Sequence, residues 1–146
     1  DCIERGGLAP AADPEVGAGI ARARREVQRA WSKVLAEDDD KHWHKLRLAI
    51  KELRYTFDSL PRDALDASAA SVLKHCKRLQ EMLGAWHDTV VHAHRVRDFA
   101  RGLDGEVESA LHDVLKRWCK RMEREGRDAL EEARDFLTGK GSDLLD

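Results

Sequence analysis

The chain has 146 residues, of which 37% are charged and 42% hydrophobic, and its formal net charge at pH 7 is −2. This length suffices for one domain with a hydrophobic core, and the composition is typical of a soluble helical protein. No apolar run approaches the roughly 20 residues of a membrane span, and no secretory signal pattern opens the chain. We therefore expect neither a membrane-spanning segment nor a membrane partner.

Residues 1–14 are rich in Gly, Ala and Pro and have no sustained period, so they read as a linker or N-terminal stub. Residues 15–37 form the first predicted helix, with apolar side chains on one face. Cationic side chains repeat along its other side within about 80° of arc. This α1 row consists of Arg22, Arg25, Arg29 and Lys33.

Residues 41–60 form the second predicted helix, which begins after three aspartates that suit a helix N-terminus. Its packing face holds Trp43, Leu46, Ala49, Ile50, Leu53, Phe57 and Leu60. A neighbouring arc of about 100° carries a second set of cations and a tyrosine, spread over about 15 Å. This α2 strip consists of His44, Arg47, Lys51, Arg54 and Tyr55. Like charges at this spacing need acidic neighbours or an anionic ligand.

Three more helices are expected, over about 63–83, 86–101 and 106–138, with Gly84 as the C-terminal cap of the first. The last helix carries Arg117, Arg121 and Arg124 on one side. Residues 139–146 are expected to be a frayed tail. Because the connections are short and no strand-period segment interrupts them, the predicted fold is all-α, an antiparallel helical bundle over 15–138. Such a bundle would set the α1 row beside the α2 strip, with the three arginines as another wall of a basic groove.

Two motifs resemble those of a known family. His44-x-x-Arg47-x-x-x-Lys51-x-x-Arg54-Tyr55 is similar to the signature of the conserved histidine α-helical domain (CHAD) family, and Leu79-Gln80-x-x-Leu83-Gly84-x-x-x-Asp88 resembles its second landmark, where one helix ends at a Gly and another begins. The resemblance covers about residues 18–138. It implies a purely helical domain that binds inorganic polyphosphate through a basic groove, without catalysis of its own and without a cofactor.

The chain also departs from that family. CHAD domains are similar to a tandem of two bundles, each with a basic helix, whereas this chain has one H-x-x-R-x-x-x-K copy and begins at Asp1. It therefore resembles the C-terminal half of such a domain, and we expect either a homodimer, a missing N-terminal half-domain as partner, or weaker one-sided binding. Two milder differences are His87, where the family often has Asn, and Asp58, where it often has Glu.

Polyphosphate suits rows of Arg and Lys because it carries about one negative charge per phosphate and many acceptor oxygens. The local field of such rows can attract a polyanion although the net charge is −2, since screening beyond about 8–10 Å hides remote carboxylates. Tyr55 could donate its hydroxyl to a phosphate or stand on the rim, and His44 could bind the anion or pack between helices.

Three other functions stay open. Metal binding is suggested by His42, His44, His87, His92 and His94, but residues two apart on a helix point about 200° apart, so we predict no metal site. Nucleic acid is the second, because rows of cations that bind phosphate groups also suit RNA or DNA, although exposed aromatic side chains between the cations are lacking. A plain helical interaction module, whose cations pair with acidic faces, is the third. No nucleophile motif or Gly-rich phosphate loop is present, which argues against an enzyme.

Three cysteines, Cys2, Cys76 and Cys119, are widely spaced and form no C-x-x-C pattern. Their odd number and spacing favour free thiols in a reducing compartment over a disulfide framework or a zinc site. The predicted location is therefore the cytoplasm.

Overall fold

The computed structural model describes residues 14–61, 65–103 and 106–146. These segments contain four α-helices and a terminal 3-10 turn, and no strand occurs in them. The helices are α1 (Pro14–Ala36), α2 (Asp40–Asp58), α3 (Ala67–Arg101) and α4 (Glu106–Thr138), and the turn is Ser142–Leu144. The predicted all-α helical bundle is confirmed.

The chain divides into two compact units. The first comprises Asp1–Glu81 and Asp135–Asp146, and the second comprises Met82–Arg134, so both boundaries fall inside long helices. The assignment of residues 1–14 to a linker concerns residues that, apart from Pro14, lie outside the described segments. That assignment and the single bundle over 15–138 therefore stay predictions.

Helices α1 and α2 pack along each other through one apolar face each. Each face repeats at three- and four-residue intervals, as an amphipathic helix requires. The two indoles of Trp31 and Trp43 meet edge to face with centroids 6.1 Å apart. Burying each large apolar side chain contributes about 1.5–3 kcal/mol to the free energy of unfolding. The buried residues are Ile20, Ala23, Val27, Trp31 and Val34 on α1 and Trp43, Leu46, Ile50, Leu53 and Phe57 on α2.

The start of α2 follows from the aspartates that precede it. Asp39 is the N-cap, and its carboxylate accepts a hydrogen bond from the His42 backbone N–H at 2.7 Å. This bond lowers the pKa of Asp39 below its ordinary value, because it stabilises the charged carboxylate. Asp38 accepts a bond from the Trp43 indole N–H, which ties the same turn to the core.

Helix α3 is continuous from Ala67 to Arg101, so the predicted break at Gly84 is wrong. A glycine inside a helix costs only about 1 kcal/mol relative to alanine. Met82, Leu83 and Trp86 are buried on either side of Gly84, and their packing outweighs that cost. The expected first residues of this helix, 63 and 64, and the turn residue Gly105 lie outside the described segments.

The tail is not frayed, contrary to prediction. Leu144 is fully buried, and the backbone around it accepts hydrogen bonds from two side chains of α1. Arg24 donates to the carbonyl of Asp143 at 3.2 Å, and Gln28 donates to the carbonyl of Leu145 at 2.9 Å. The buried Leu144 side chain and these two hydrogen bonds therefore hold the turn against the first unit.

The second unit pairs residues 82–101 of α3 with residues 106–134 of α4. Gly126 allows a close approach, since a Cβ there would lie 2.5 Å from Oγ1 of Thr89. On α4, an apolar row of Leu111, Val114 and Trp118 is 40–50% exposed. We found no helix in the described segments that is long and apolar enough to cross a membrane.

Candidate anion-binding surface

The α2 strip lies along one edge of the buried face of α2. Arg47, Lys51 and Arg54 are half-buried, whereas Tyr55 is 50% exposed. At about 100° per residue, these side chains project to the same side of the Leu46–Ile50–Leu53 face. The helix that packs the core therefore also presents three cations in one row, as its sequence predicts.

Two cations of the strip have no carboxylate partner among the described residues. In the described segments, neither Arg47 nor Lys51 lies within 4 Å of an acidic oxygen, although many other cations of the chain do. The Nε atom of Arg47 is buried, and no atom of the described segments accepts a hydrogen bond from it. Buried donors without partners are uncommon in proteins, and they often belong to sites that bind an ion or a water.

Arg54 is held in place from two sides. Its Nε donates to Oδ2 of Asp58 at 2.9 Å, and its Nη1 donates to Oε1 of Gln80 on α3 at 2.9 Å. The other oxygen of Asp58 lies 3.5 Å from Nζ of Lys77. The sequence analysis names Asp58 and Gln80 only as a departure from the family and as part of the second motif, and it predicts neither of their contacts with Arg54. The i,i+4 spacing of Arg54 and Asp58 could have revealed their ion pair, but the motif does not indicate which residue Gln80 contacts.

Tyr55 stands between the cations at the exposed side of the strip. Nζ of Lys51 lies 5.5 Å from the centre of its ring, and the Arg54 guanidinium carbon lies 5.9 Å from it. Both distances fall within the range of cation–π attraction, which contributes about 0.5–1 kcal/mol at exposed sites. The ring therefore orders two long cationic side chains.

The α1 row does not lie beside the α2 strip, which contradicts the expected arrangement. Its four side chains are exposed, and Arg29 pairs with Glu26 at 2.6 Å. Arg29 and Lys33 line a groove of about 490 Å³ together with Lys45, Ala49 and Glu52. These α2 residues lie toward the opposite edge of its buried face, about 110–170° of arc from the centre of the strip. Whether the row binds phosphate stays a prediction.

The arginines predicted as a third wall lie on the second unit. Arg117, Arg121 and Arg124 are exposed on α4, and Nε of Arg121 lies 2.8 Å from the Glu125 carboxylate. Their convergence with the α2 strip into one groove stays a prediction.

One group of possible metal ligands occurs in the described segments. Ligand atoms of Glu37, Asp39 and His42 lie within 4.8 Å of one another. Asp39 is already the N-cap of α2, and the positive end of the helix dipole disfavours a cation there. Of the other histidines considered, His94 lies 3.3 Å from Asp98. The predicted absence of a metal site stays a prediction.

Comparison with known proteins identifies a family for the chain. The family profile described as "CHAD domain" matches residues 4–97, more than half of the chain. The match includes α1, the α2 strip and most of α3. No curated protein and no solved structure matches the chain.

Proposed function

The chain belongs to the CHAD domain family, and on this premise we propose that it binds inorganic polyphosphate through the α2 strip, without catalysis of its own. CHAD domains in general bind polyphosphate and are binding domains rather than enzymes. What this chain adds is a specific surface, with Arg47, Lys51 and Arg54 as its principal cations and His44 and Tyr55 at its border.

The observation that carries the proposal is the lack of counter-charge at Arg47 and Lys51. Two adjacent cations on one helix face repel each other unless an anion lies between them, and no carboxylate of the described segments does so. The buried Nε of Arg47 adds a donor without an acceptor. A phosphate chain along α2 would supply both the charge and the oxygen atoms.

The strip is also better prepared for an anion than the α1 row. Its cations are half-buried and partly ordered by Tyr55, Asp58 and Gln80. Ordering before binding reduces the entropy that long side chains lose when they contact a ligand. We assign the exposed α1 row, Arg22, Arg25, Arg29 and Lys33, to a second and weaker phosphate surface. Arg117, Arg121 and Arg124 are assigned to a further part of the binding surface, on α4.

A matched pair of double variants tests this assignment. Arg47→Ala with Lys51→Ala removes two cations from the strip, and Arg22→Ala with Arg25→Ala removes two from the α1 row. Calorimetric titration with long-chain polyphosphate at two salt concentrations would compare them. Each charge-assisted hydrogen bond contributes about 1.5–3 kcal/mol, so the first variant should bind at least about tenfold more weakly. The second should lose less than about threefold. Equal losses, or an unchanged affinity in the first variant, would contradict the assignment.

Nucleic acid is the second candidate, because the exposed ring of Tyr55 between Lys51 and Arg54 could stack on a base. Competition between polyphosphate and single-stranded RNA at matched phosphate concentration separates the two. Preferential displacement by RNA would reverse the ranking, whereas preference for polyphosphate would agree with a surface that reads only phosphate.

Two further parts of the proposal concern the setting of this domain. We place it in the cytoplasm, which is supported by the free thiols of Cys76 and Cys119. We also propose that it associates with a second copy or with another half-domain. The exposed row of Leu111, Val114 and Trp118 supports this, since apolar rows on helices often mark interfaces.

A further inference from the structure

We propose that Arg54 and Lys77 form a phosphate subsite that the Asp58 carboxylate occupies in the free protein, so that Asp58 competes with the ligand and limits its affinity. The inference rests on the proposed function. It adds a residue from α3 to the binding surface and gives an acidic residue a role in an otherwise cationic site.

The geometry of the cluster resembles that of a bound anion. The two oxygens of Asp58 each contact a cation from a different helix: Oδ2 lies 2.9 Å from Nε of Arg54, and Oδ1 lies 3.5 Å from Nζ of Lys77. Gln80 holds the opposite side of the guanidinium through Nη1 at 2.9 Å. A phosphate group also presents two oxygens to an Arg and a Lys, so it can replace the carboxylate between the same donors.

The cluster is open to solvent and lies at the end of the strip. The side chains of Arg54, Asp58 and Lys77 are 32%, 33% and 48% exposed, so an anion in solution can reach them. Arg54 follows Lys51 by one turn of α2, and Asp58 follows Arg54 by another. A phosphate chain that lies along Arg47 and Lys51 therefore arrives next at the position of Asp58.

Because of this placement, a ligand displaces Asp58 only when another part of it is already bound at Arg47 and Lys51. An isolated phosphate gains little binding energy at Arg54 and Lys77, because its contacts there replace contacts that the Asp58 carboxylate already makes. A chain already bound at Arg47 and Lys51 presents its next phosphate at a high effective concentration, which shifts the exchange in its favour. Asp58 thus restricts the subsite to ligands long enough to be held elsewhere.

The exchange also has a characteristic salt dependence. Cations with mobile counterions release them when a polyanion binds, and this makes affinity fall steeply with salt. Arg54 and Lys77 carry an internal carboxylate instead, so they release few ions. Removing the charge of Asp58 would leave these two cations with mobile counterions and would steepen the dependence.

The variant Asp58→Asn tests the inference directly. Asparagine keeps the size of the side chain and an oxygen that can accept from Nε of Arg54, but it removes the negative charge. Asp98→Asn is the matched control, since it makes the same change at an exposed aspartate whose partners, His94 and Arg101, belong to none of the assigned binding surfaces. Asp58→Glu keeps the charge and should restore wild-type behaviour. Affinity for long-chain polyphosphate and its salt dependence are measured for each, with thermal melting to show that all are folded.

We expect Asp58→Asn to bind polyphosphate about three- to tenfold more tightly at low salt. The ligand then no longer has to break the two exposed ion pairs that Asp58 forms with Arg54 and Lys77. The slope of log affinity against log salt should steepen by about 0.7 for each cation set free. Asp98→Asn should change neither quantity beyond about twofold. If Asp58→Asn melts at a much lower temperature, Lys77→Gln serves instead. It should bind more weakly with little change in slope, because Lys77 releases few ions in the unmodified protein, whereas a clearly shallower slope would contradict the inference.

Two results would overturn the inference. If Asp58→Asn matches Asp98→Asn in both affinity and slope while Arg47→Ala with Lys51→Ala still weakens binding, Asp58 does not compete and only this inference fails. If the unmodified protein binds no polyphosphate at either salt concentration, the proposed function fails and the inference falls with it.

Discussion

Nδ1 of His75 lies 2.7 Å from Oδ1 of Asp143, which joins the middle of the first unit to a turn 68 residues further along the chain. The imidazole also meets the ring of Phe136 edge to face at 5.5 Å. Arg24 holds the backbone carbonyl of Asp143 from α1. Helices α1 and α3 therefore both contact Asp143 of the C-terminal turn.

Removal of this carboxylate should loosen the turn. We expect Asp143→Ala to lower the free energy of unfolding by about 1 kcal/mol, since the His75 contact is lost while the backbone bond from Arg24 remains. Hydrogen exchange of residues 142–146 should become faster. Asp146→Ala, which changes an exposed acidic residue of the same tail, should leave exchange and stability unchanged. Equal effects of the two variants would show that the His75 contact does not hold the turn.

Two glycines of the long helices should respond to alanine in opposite directions. At Gly84 a Cβ would meet nothing within 4 Å, so Gly84→Ala should stabilise the protein by up to about 1 kcal/mol. At Gly126 the Cβ would lie 2.5 Å from Oγ1 of Thr89, whose hydroxyl donates to the Trp86 carbonyl. We therefore expect Gly126→Ala to destabilise by about 1–3 kcal/mol despite its better helix propensity.

Urea unfolding measures both changes, and Thr89→Ala combined with Gly126→Ala should recover part of the loss. A Gly84→Ala variant that is less stable than the wild type would argue that α3 is interrupted there. No recovery in the Thr89 double variant would place the source of the strain at another contact.

Cys76 should make the fold sensitive to alkali. Its side chain is fully buried, and this burial, partly offset by the positive charge of Arg24, raises the pKa of the thiol from 9.0 to about 12. Between these values the unfolded chain loses the thiol proton while the folded chain keeps it. The contribution of Cys76 to stability is therefore complete below about pH 9 and declines as the pH rises toward 12.

Urea unfolding at pH 8 and pH 10.5 measures this decline, and Cys76→Val provides the reference because valine has no proton to lose. We expect the unmodified protein to lose more stability than the variant between the two pH values. At pH 8, iodoacetamide should label Cys76 only after unfolding, since the thiol is neutral and inaccessible in the fold. Equal losses of stability in the two proteins, or rapid labelling of Cys76 in the folded protein, would show that the buried thiol is not the source of the alkaline sensitivity.

The apolar row on α4 should mediate self-association. We expect Trp118→Glu to lower the mass of the protein in light scattering, because a carboxylate in the middle of the row cannot be buried without a partner. Phe99→Glu places the same charge on another exposed apolar residue and should leave the mass unchanged. A monomeric wild-type protein, measured both with and without polyphosphate, would contradict this prediction.

The sequence predicts α1 and α2 well because both helices bury one apolar face. Their observed limits, Pro14–Ala36 and Asp40–Asp58, lie within two residues of the predicted ones. Periodicity reports which side of a helix is buried, and Asp39 marks where α2 begins. The members of the α2 strip follow from the same periodicity.

Other features depend on contacts that local pattern does not contain. Gly84 has the residue type of a helix end, but the buried neighbours that carry α3 past it are a tertiary effect. The edge of α2 that the α1 row borders depends on how two helices rotate against each other. Each helix alone shows a cationic side, and neither shows which neighbour that side meets. The contacts of Asp58 with Lys77 and of Gln80 with Arg54 could not be predicted for the same reason, since each joins a residue of α2 to a residue of α3.

The arrangement of cations on both edges of the α1–α2 pair has one more consequence. A protein with a single basic face is saturated by one polymer, whereas this pair, with both rows binding as proposed, would be divalent toward any polyanion long enough to reach from one molecule to the next. Mixtures near charge balance would then form cross-linked networks, and an excess of either component would dissolve them.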